Sequence, residues 1–388
     1  MKILIDFRKF DGIIGGVERG VIEISTFLAQ QGHTVILLPK ISRLSEVQKL
    51  FRDISKLKYA PLQVQSHALS LRNMYHDTFT IQKIARDEVA DVIHFPYNWS
   101  FPFRKSAPTI LTVHDVIPLS YREAMGLFTN LFLYRPGMQM ATRLNDVIVT
   151  VSEFSKEDIC NKLGAHREKI RVINNGLREP LKPTEQIKEA LTAQYGLESG
   201  FILYVGGIHE RKNVEGLIRA YAKFVNETRF SGKLLITGNI SGAAYQIRMK
   251  KILDNVLKDT GIGNQVIFTG FIPDKHLDCL MGRALFLVYP SFYEGFGIPV
   301  LEAMQMGTPV ITSNVTALPE VAGDAALLVN PHDIEEIAEA MIKLFIDKSL
   351  RRELRERGRE RAKNYKWEIT AKQYLALYTE LINKHSAR

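Results

Sequence analysis

Short apolar runs, most of them rich in Val and Ile, recur along the chain with room for a helix between neighbours. In the first half they are KILID (2–6), HTVILL (33–38), DVIHF (91–95), TILTVHD (109–115), DVIVTVS (146–152) and IRVINNG (170–176). In the second half they are FILYVGG (201–207), KLLITG (233–238), QVIFTG (265–270), ALFLVYPS (284–291), TPVITS (308–313) and AALLVN (325–330). The runs are continuous rather than alternating, as strands covered on both faces require, so they predict parallel sheets with helices packed on either side. Between the two sets lies LREPLKPTEQ (177–186), polar and carrying prolines, which reads as an interdomain linker. The stretch 39–90 has helical periods but no clear strand. It and 118–144 are the parts that would face an acceptor or a membrane, or else are ordinary amphipathic helices packed on a sheet. The last segment, YKWEITAKQYLALYTELINKHSAR (365–388), has a helical period, and its Trp367, Tyr374, Leu375 and Tyr378 need a surface to cover. The pattern predicts two doubly wound α/β domains in series.

Length agrees, since 388 residues exceed what one hydrophobic core usually serves. Hydrophobic residues make up 46% and charged residues 24%, which excludes a disordered chain. The formal charge of +9 favours acidic partners: nucleic acid, anionic lipid or a phosphorylated small molecule. Nucleic acid is set aside, because no five-residue Lys/Arg run and no interleaving of aromatic with basic residues occurs. Cys160 and Cys279 are far apart without a CxxC partner, which excludes a disulfide framework and fits a reducing compartment. MKILIDFRKFDG does not read as a signal peptide, and no run of 18 apolar residues is present. The expectation is a cytoplasmic protein resting, at most, on the inner face of a membrane. Residues 1–180 hold 24 Lys and Arg against 18 Asp and Glu, so the basic excess leans towards the first half.

Three loops carry candidate chemistry. DFRKFDGIIGGVERG (6–20) leaves the first strand and enters a helix. Gly12, Gly15 and Gly16 permit close approach of a phosphate, although the spacing is not GxGxxG and the loop also fits a structural turn. ILYVGGIHERKN (202–213) ends a strand at Gly206-Gly207 and places Arg211 and Lys212 where a helix should begin. Cations there oppose the helix dipole unless an anion is expected, and a fork plus a point charge suits a diphosphate. SFYEGFGIPVLEAMQMGTPVITS (291–313) puts Glu294 in a strand's exit loop, at the crevice mouth, with Gly295, Phe296, Gly297 and Ile298 presenting N–H groups towards it. Pro299 then opens a helix that carries Glu302 and ends at Gly307. One carboxylate can bind the hydroxyls of a sugar and the other those of a ribose, with a diphosphate held between them.

Glu294 and Glu302, in the setting EGFGIPVLEAMQMGTPVI, resemble the EX7E signature of retaining glycosyltransferases of the family 4 type. The resemblance extends through GGVER, TVHDVIPL (112–119), VSEFSKEDI (151–159), VINNG (172–176), VGGIHERKN and LPEVAGDAALLVNPHD (318–333). It implies a GT-B fold: two Rossmann-like domains facing across a cleft. The acceptor domain would be 1–178 and the nucleotide-sugar domain 187–365, with a C-terminal helix, about 366–388, returning to the first. It implies roles as well. Glu294 would contact the transferred sugar beside the anomeric carbon, along the loop Gly295, Phe296 and Gly297. Glu302 would bind the ribose. Arg211 and Lys212 would neutralise the diphosphate, with Gly15, Gly16, Gly297 and Ile298 against its oxygens, and His114 would approach the donor sugar. His94 is left out of the site. Many members carry an arginine just after the strand; this chain has Gly207, and Arg211 would take that part.

No D-x-D triplet occurs, so fixed cations rather than a metal would stabilise the leaving group, with no cofactor beyond the nucleotide sugar. The resemblance points to bacterial mannosyl- or rhamnosyltransferases of surface-polysaccharide synthesis. GDP-mannose is the favoured donor and a glycan or lipid-linked saccharide the acceptor. A GT-B epimerase or phosphorylase, and a non-catalytic nucleotide-sugar-binding protein, stay open as alternatives.

Overall fold

Alternate side chains of a strand point to opposite faces, and β1 (Lys2–Phe7) uses both. Its Ile3, Ile5 and Phe7 enter one apolar cluster with Val21, Ile24 and Leu28 of the helix Gly16–Gln30. Leu4 enters another, with Ile36, Leu38, Ile93 and Leu111. A strand buried on both sides cannot alternate polar with apolar residues, which is why the sequence reads as continuous runs.

The computed structural model describes residues 1–64, 70–121, 129–240 and 242–386. The chain divides into two compact units, one built from Met1–Leu119, Met125–Gly176 and Lys366–Arg388, the other centred on Leu177–Tyr365. The first holds β1 with β2 (Thr34–Pro39), β3 (Leu57–Tyr59), β4 (Val92–Phe95), β5 (Thr109–Thr112), β6 (Val147–Thr150) and β7 (Ile170–Val172). Their order is β3-β2-β1-β4-β5-β6-β7, parallel throughout. The second holds β8 (Phe201–Val205), β9 (Lys233–Thr237), β10 (Val266–Gly270), β11 (Leu287–Tyr289), β12 (Val310–Ser313) and β13 (Leu327–Val329). They are ordered β10-β9-β8-β11-β12-β13, again all parallel. Both sheets start in the middle, run to one edge, and return to build the other. Each therefore has a switch point, between β1 and β4 and between β8 and β11, where neighbouring exit loops diverge and leave a crevice.

Twelve of these strands coincide with the apolar runs, β1 and β2 each ending one residue beyond theirs. The expectation of no strand in 39–90 is corrected by β3, a three-residue piece whose central Lys58 is exposed and which pairs Val35–Leu37 of β2. Residues 65–69 and 122–128, within the stretches 39–90 and 118–144, lie outside the described residues.

The C-terminal helix Trp367–Ser386 packs on the first unit, as expected. Its Ala371, Tyr374, Leu377, Tyr378 and Leu381 join the cluster of Ile5, Val21 and Ile24, with Leu375 partly covered. The approach is tight: a Cβ on Gly176 would lie 2.4 Å from the Trp367 backbone nitrogen, so only glycine fits there.

Candidate functional site

At the second unit's switch point, β8 exits through Gly206 (φ +146°) and Gly207 into a single 3-10 turn, Glu210–Lys212. Asn213, in the left-handed region, then caps the helix Val214–Thr228: its side chain accepts from the Gly216 N–H and donates to the Pro331 carbonyl at 2.6 Å. This turn delivers Arg211 and Lys212 at the carboxyl end of β8. The neighbouring exit loop, after β11, delivers Glu294.

The three meet. Glu294, 6% exposed, lies 2.6 Å from the Lys212 ammonium through Oε1 and 2.9 Å from the Arg211 guanidinium through Oε2. The Tyr289 hydroxyl, from β11 itself, donates to Oε1 at 2.9 Å and accepts from Lys212 Nζ, which also lies over the Tyr289 ring. Arg211 Nη1 donates to the Tyr293 carbonyl at 3.0 Å. Burial alone would push the Glu294 carboxyl up; Lys212 and Arg211 outweigh it and hold the group down to about 2. Burial lowers Lys212, with Glu294 opposing it. The result is a largely buried cluster of two cations and one carboxylate, with positive charge in excess.

Sequence reasoning placed Glu294 at the crevice mouth, with backbone N–H groups turned towards it; the structure buries its carboxylate against two cations and a phenol. Phe296 is buried, its ring edge-on to Tyr365. Gly297 stands at φ +110° before the helix Ile298–Gln305, and a Cβ there would come 2.7 Å from a Leu318 methyl. The fold therefore demands glycine at 297 whatever the ligand. Glu302 lies in that helix, and Arg178 Nε is 3.8 Å from its carboxylate. Burial raises Glu302 to about 7; Arg178 opposes the rise, and Asp278 and Asp274 add to it. Tyr289, Arg178 and Asp278 were missed by sequence reasoning. Tyr289 was readable, since an aromatic hydroxyl at the last position of a strand faces the same loop as Glu294. Arg178 sits in what reads as a linker, where nothing flags it.

The first unit holds Gly15, Gly16 and His114. The Gly15 N–H donates to the Glu18 carboxylate at 3.1 Å, so the chain's own acid caps this helix start. Gly15 and Gly16 have negative φ; Gly12, at +93°, is the left-handed residue of the loop. His114 lies past the end of β5, its Nε2 at 3.3 Å from the Pro96 carbonyl, and desolvation lowers its imidazole to about 4. It borders a small pocket with His94, Thr112, Trp367, Thr370 and Tyr374. His94 is structural: one ring nitrogen is 2.8 Å from the Tyr378 hydroxyl, the other 2.8 Å from Thr112 Oγ1, and burial keeps it neutral.

The first switch point also carries buried charge. Arg8, just beyond β1, donates to Asp6 from Nε (2.8 Å) and Nη2 (2.7 Å), and Nη2 reaches Asp77 at 2.5 Å. Asp77, in the π-helical turn His76–Thr80, also accepts from the Phe101 N–H at 2.8 Å. Burial raises Asp77 to about 6 against the pull of Arg8, with Asp6 adding to the rise.

Two family models match the chain, Glycosyltransferase Family 4 over residues 14–178 and Glycosyl transferases group 1 over residues 188–361. O-antigen chain mannosyltransferase B of Escherichia coli is 34% identical over 235 residues, 60% of this chain and 60% of that protein. Serotype-specific mannosyltransferase WbdA of Escherichia coli is 26% identical over 414 residues, 98% of this chain but 48% of that protein. The chain thus spans about half the length of the curated relatives it matches. Among solved structures, a glycosyltransferase from Rickettsia africae ESF-5 superposes with a TM-score of 0.75 at 19% identity, covering 98% of both chains, which makes the fold GT-B. With one half matching each model and both sheets wound as their crevices require, the chain belongs to the group 1/family 4 glycosyltransferases.

Proposed function

We propose that this protein transfers a hexose, mannose in the favoured case, from a nucleotide sugar to a glycan or lipid-linked saccharide during surface-polysaccharide synthesis. The observation that carries the reading is the buried Glu294–Lys212–Arg211 cluster at the switch point of the second sheet. Its excess positive charge suits a diphosphate, and its carboxylate stays ionised in a largely buried setting where charge acts strongly. The relatives named above are mannosyltransferases, which supports mannose and, with it, GDP-mannose as donor.

In this reading the bond from the anomeric carbon to the β-phosphate oxygen breaks while the acceptor oxygen bonds to the same face. The acceptor proton passes to the departing phosphate, and configuration is retained. Arg211 and Lys212 meet the charge growing on the diphosphate, so no metal is required. Glu294, held ionised, faces the oxocarbenium-like carbon and stabilises it. The test is transfer of labelled mannose from GDP-mannose to an oligosaccharide acceptor with EDTA present, followed by NMR of the product's anomeric centre. Retained configuration and full rate in EDTA are expected. Transfer that requires metal overturns the cation assignment, and hydrolysis or epimerisation without acceptor overturns the transferase reading.

Contact with the membrane face belongs to the same proposal. Among the described residues no helix is long and apolar enough to cross a membrane. The first unit nevertheless exposes Tyr75, Phe79, Phe103, Leu131, Phe132 and Leu133, all but Phe103 within the stretches singled out in the sequence. Arg104 lies over the Phe79 ring at 5.3 Å. Exposed aromatic and leucine side chains with arginine beside them suit an anionic interface. Co-sedimentation with phosphatidylglycerol vesicles at low salt should show binding that F79S/F132S weakens; no binding by the unmodified protein rejects it.

A further inference from the structure

Arg178 is the second residue of the long segment Leu177–Tyr365 that makes up most of the second unit. Its guanidinium is forked onto Asp278, Nη1 donating to Oδ2 at 2.7 Å and Nη2 to Oδ1. The same carboxylate accepts from the Leu181 N–H at 2.7 Å, so this part of the chain is pinned to the helix Asp274–Arg283 at two points. The remaining edge of Arg178 faces two more acids: Nε is 3.6 Å from Asp274 and 3.8 Å from Glu302. The Arg178 and Glu302 side chains are 15% and 19% exposed, and Asp278 only 4%.

Glu302 stands in an unusual position. At 3.8 Å the guanidinium is too far for a hydrogen bond, and among the described residues no donor reaches its carboxylate. A nearly buried carboxylate without a donor is costly, and adjacent hydroxyls are what would satisfy it. The charged groups around it are Arg178, Asp278 and Asp274. The helix Lys348–Ala362, on the other flank of Ile298–Gln305, turns Gly358 towards Met304, and its Arg361 donates to the Glu320 and Val321 carbonyls instead.

We infer that Arg178 is a positioning residue: anchored on Asp278, it holds its cation beside Glu302 and orients that carboxylate for the vicinal hydroxyls of the donor's ribose. This rests on the reading of Glu302 as the ribose ligand. The fork to Asp278 fixes the guanidinium, and the 3.8 Å gap leaves both Glu302 oxygens to accept from the ligand. Without the cation, Asp274 and Asp278 would act on Glu302 unopposed and favour its neutral form.

The test is calorimetric titration with GDP and with 2′-deoxy-GDP from pH 6 to 8.5, on the full chain and on R178Q, R178K, D278N and E302Q. The unmodified protein should prefer GDP, with affinity rising through about pH 7 as Glu302 ionises. R178Q should weaken GDP about tenfold and 2′-deoxy-GDP little, as expected for losing one charge-assisted interaction, and should move the pH midpoint upwards. R178K should recover part of the preference. A merely structural arginine would shift both nucleotides alike. If E302Q keeps the preference for GDP, the ribose assignment itself fails. If E302Q loses that preference while R178Q keeps both it and the pH midpoint, only the positioning role is overturned. D278N, which frees the fork but leaves the guanidinium, should lose part of the preference even if R178Q does not fold; an unchanged preference there also overturns the inference.

Discussion

The two switch points occupy the same place in the same kind of sheet, and each holds a buried ion cluster of opposite balance. After β8 and β11, two cations surround one carboxylate: Arg211, Lys212 and Glu294. After β1, two carboxylates surround one cation: Asp6, Asp77 and Arg8. The first is left positive and is suited to receive an anion. The second carries net negative charge once Asp77 ionises. Topology makes the crevice; the charge count inside it decides whether a phosphate is invited. A buried ion cluster in an α/β crevice is therefore not by itself a mark of a binding site.

The comparison can be broken most forcefully at Glu294. E294Q keeps the shape but removes the charge, and turnover should fall on the order of 10²–10³-fold, as for other lost transition-state contacts; steady-state transfer at matched melting temperature checks this. The mirror experiment is R8M. It strands two buried carboxylates and should destabilise the chain by about 3–5 kcal/mol, read by urea unfolding, while GDP affinity of the folded fraction stays unchanged. A weakened GDP affinity in R8M would mean that the first cluster is a binding site after all. K212M should reduce GDP affinity by roughly tenfold, since one charge-assisted contact is lost.

The smallest effect concerns acid. Asp77 goes from 3.8 unfolded to about 6 folded, so the folded state binds its proton more tightly and stability falls as pH rises between those values. The slope is at most about 1.4 kcal/mol per pH unit, and D77N should remove that part of it. Glu294 works in the opposite sense: its contribution is complete above its ordinary 4.5 and is lost as pH falls towards about 2. Stability of D77N and E294Q, followed by urea unfolding from pH 3 to 7, should show the two slopes disappearing separately.

Most of the sheet framework was legible because strands buried on two faces leave no choice but continuous apolar runs. β3 escaped because three residues around an exposed Lys58, on an edge of the sheet, carry no such constraint. The site was legible as a set of loops: Arg211 and Lys212 break a dipole preference, and Glu294 follows a strand. What those side chains touch was not. Glu294 and Lys212 are far apart in sequence, and their pairing depends on β8 and β11 becoming neighbours, a matter of sheet order. Asp6 and Arg8 likewise read as part of a glycine loop, because their third member, Asp77, comes from a π-helical turn that no periodicity announces.

The helix Trp367–Ser386 fills the hydrophobic face of a domain whose other residues leave the ribosome much earlier. At ordinary elongation rates the whole second domain takes about 10–40 s to emerge in between. Throughout that interval Ile5, Val21 and Ile24 have no Tyr374 or Tyr378 to cover them. The nascent first half thus carries an uncovered apolar face, and its completion is clocked by translation of everything downstream.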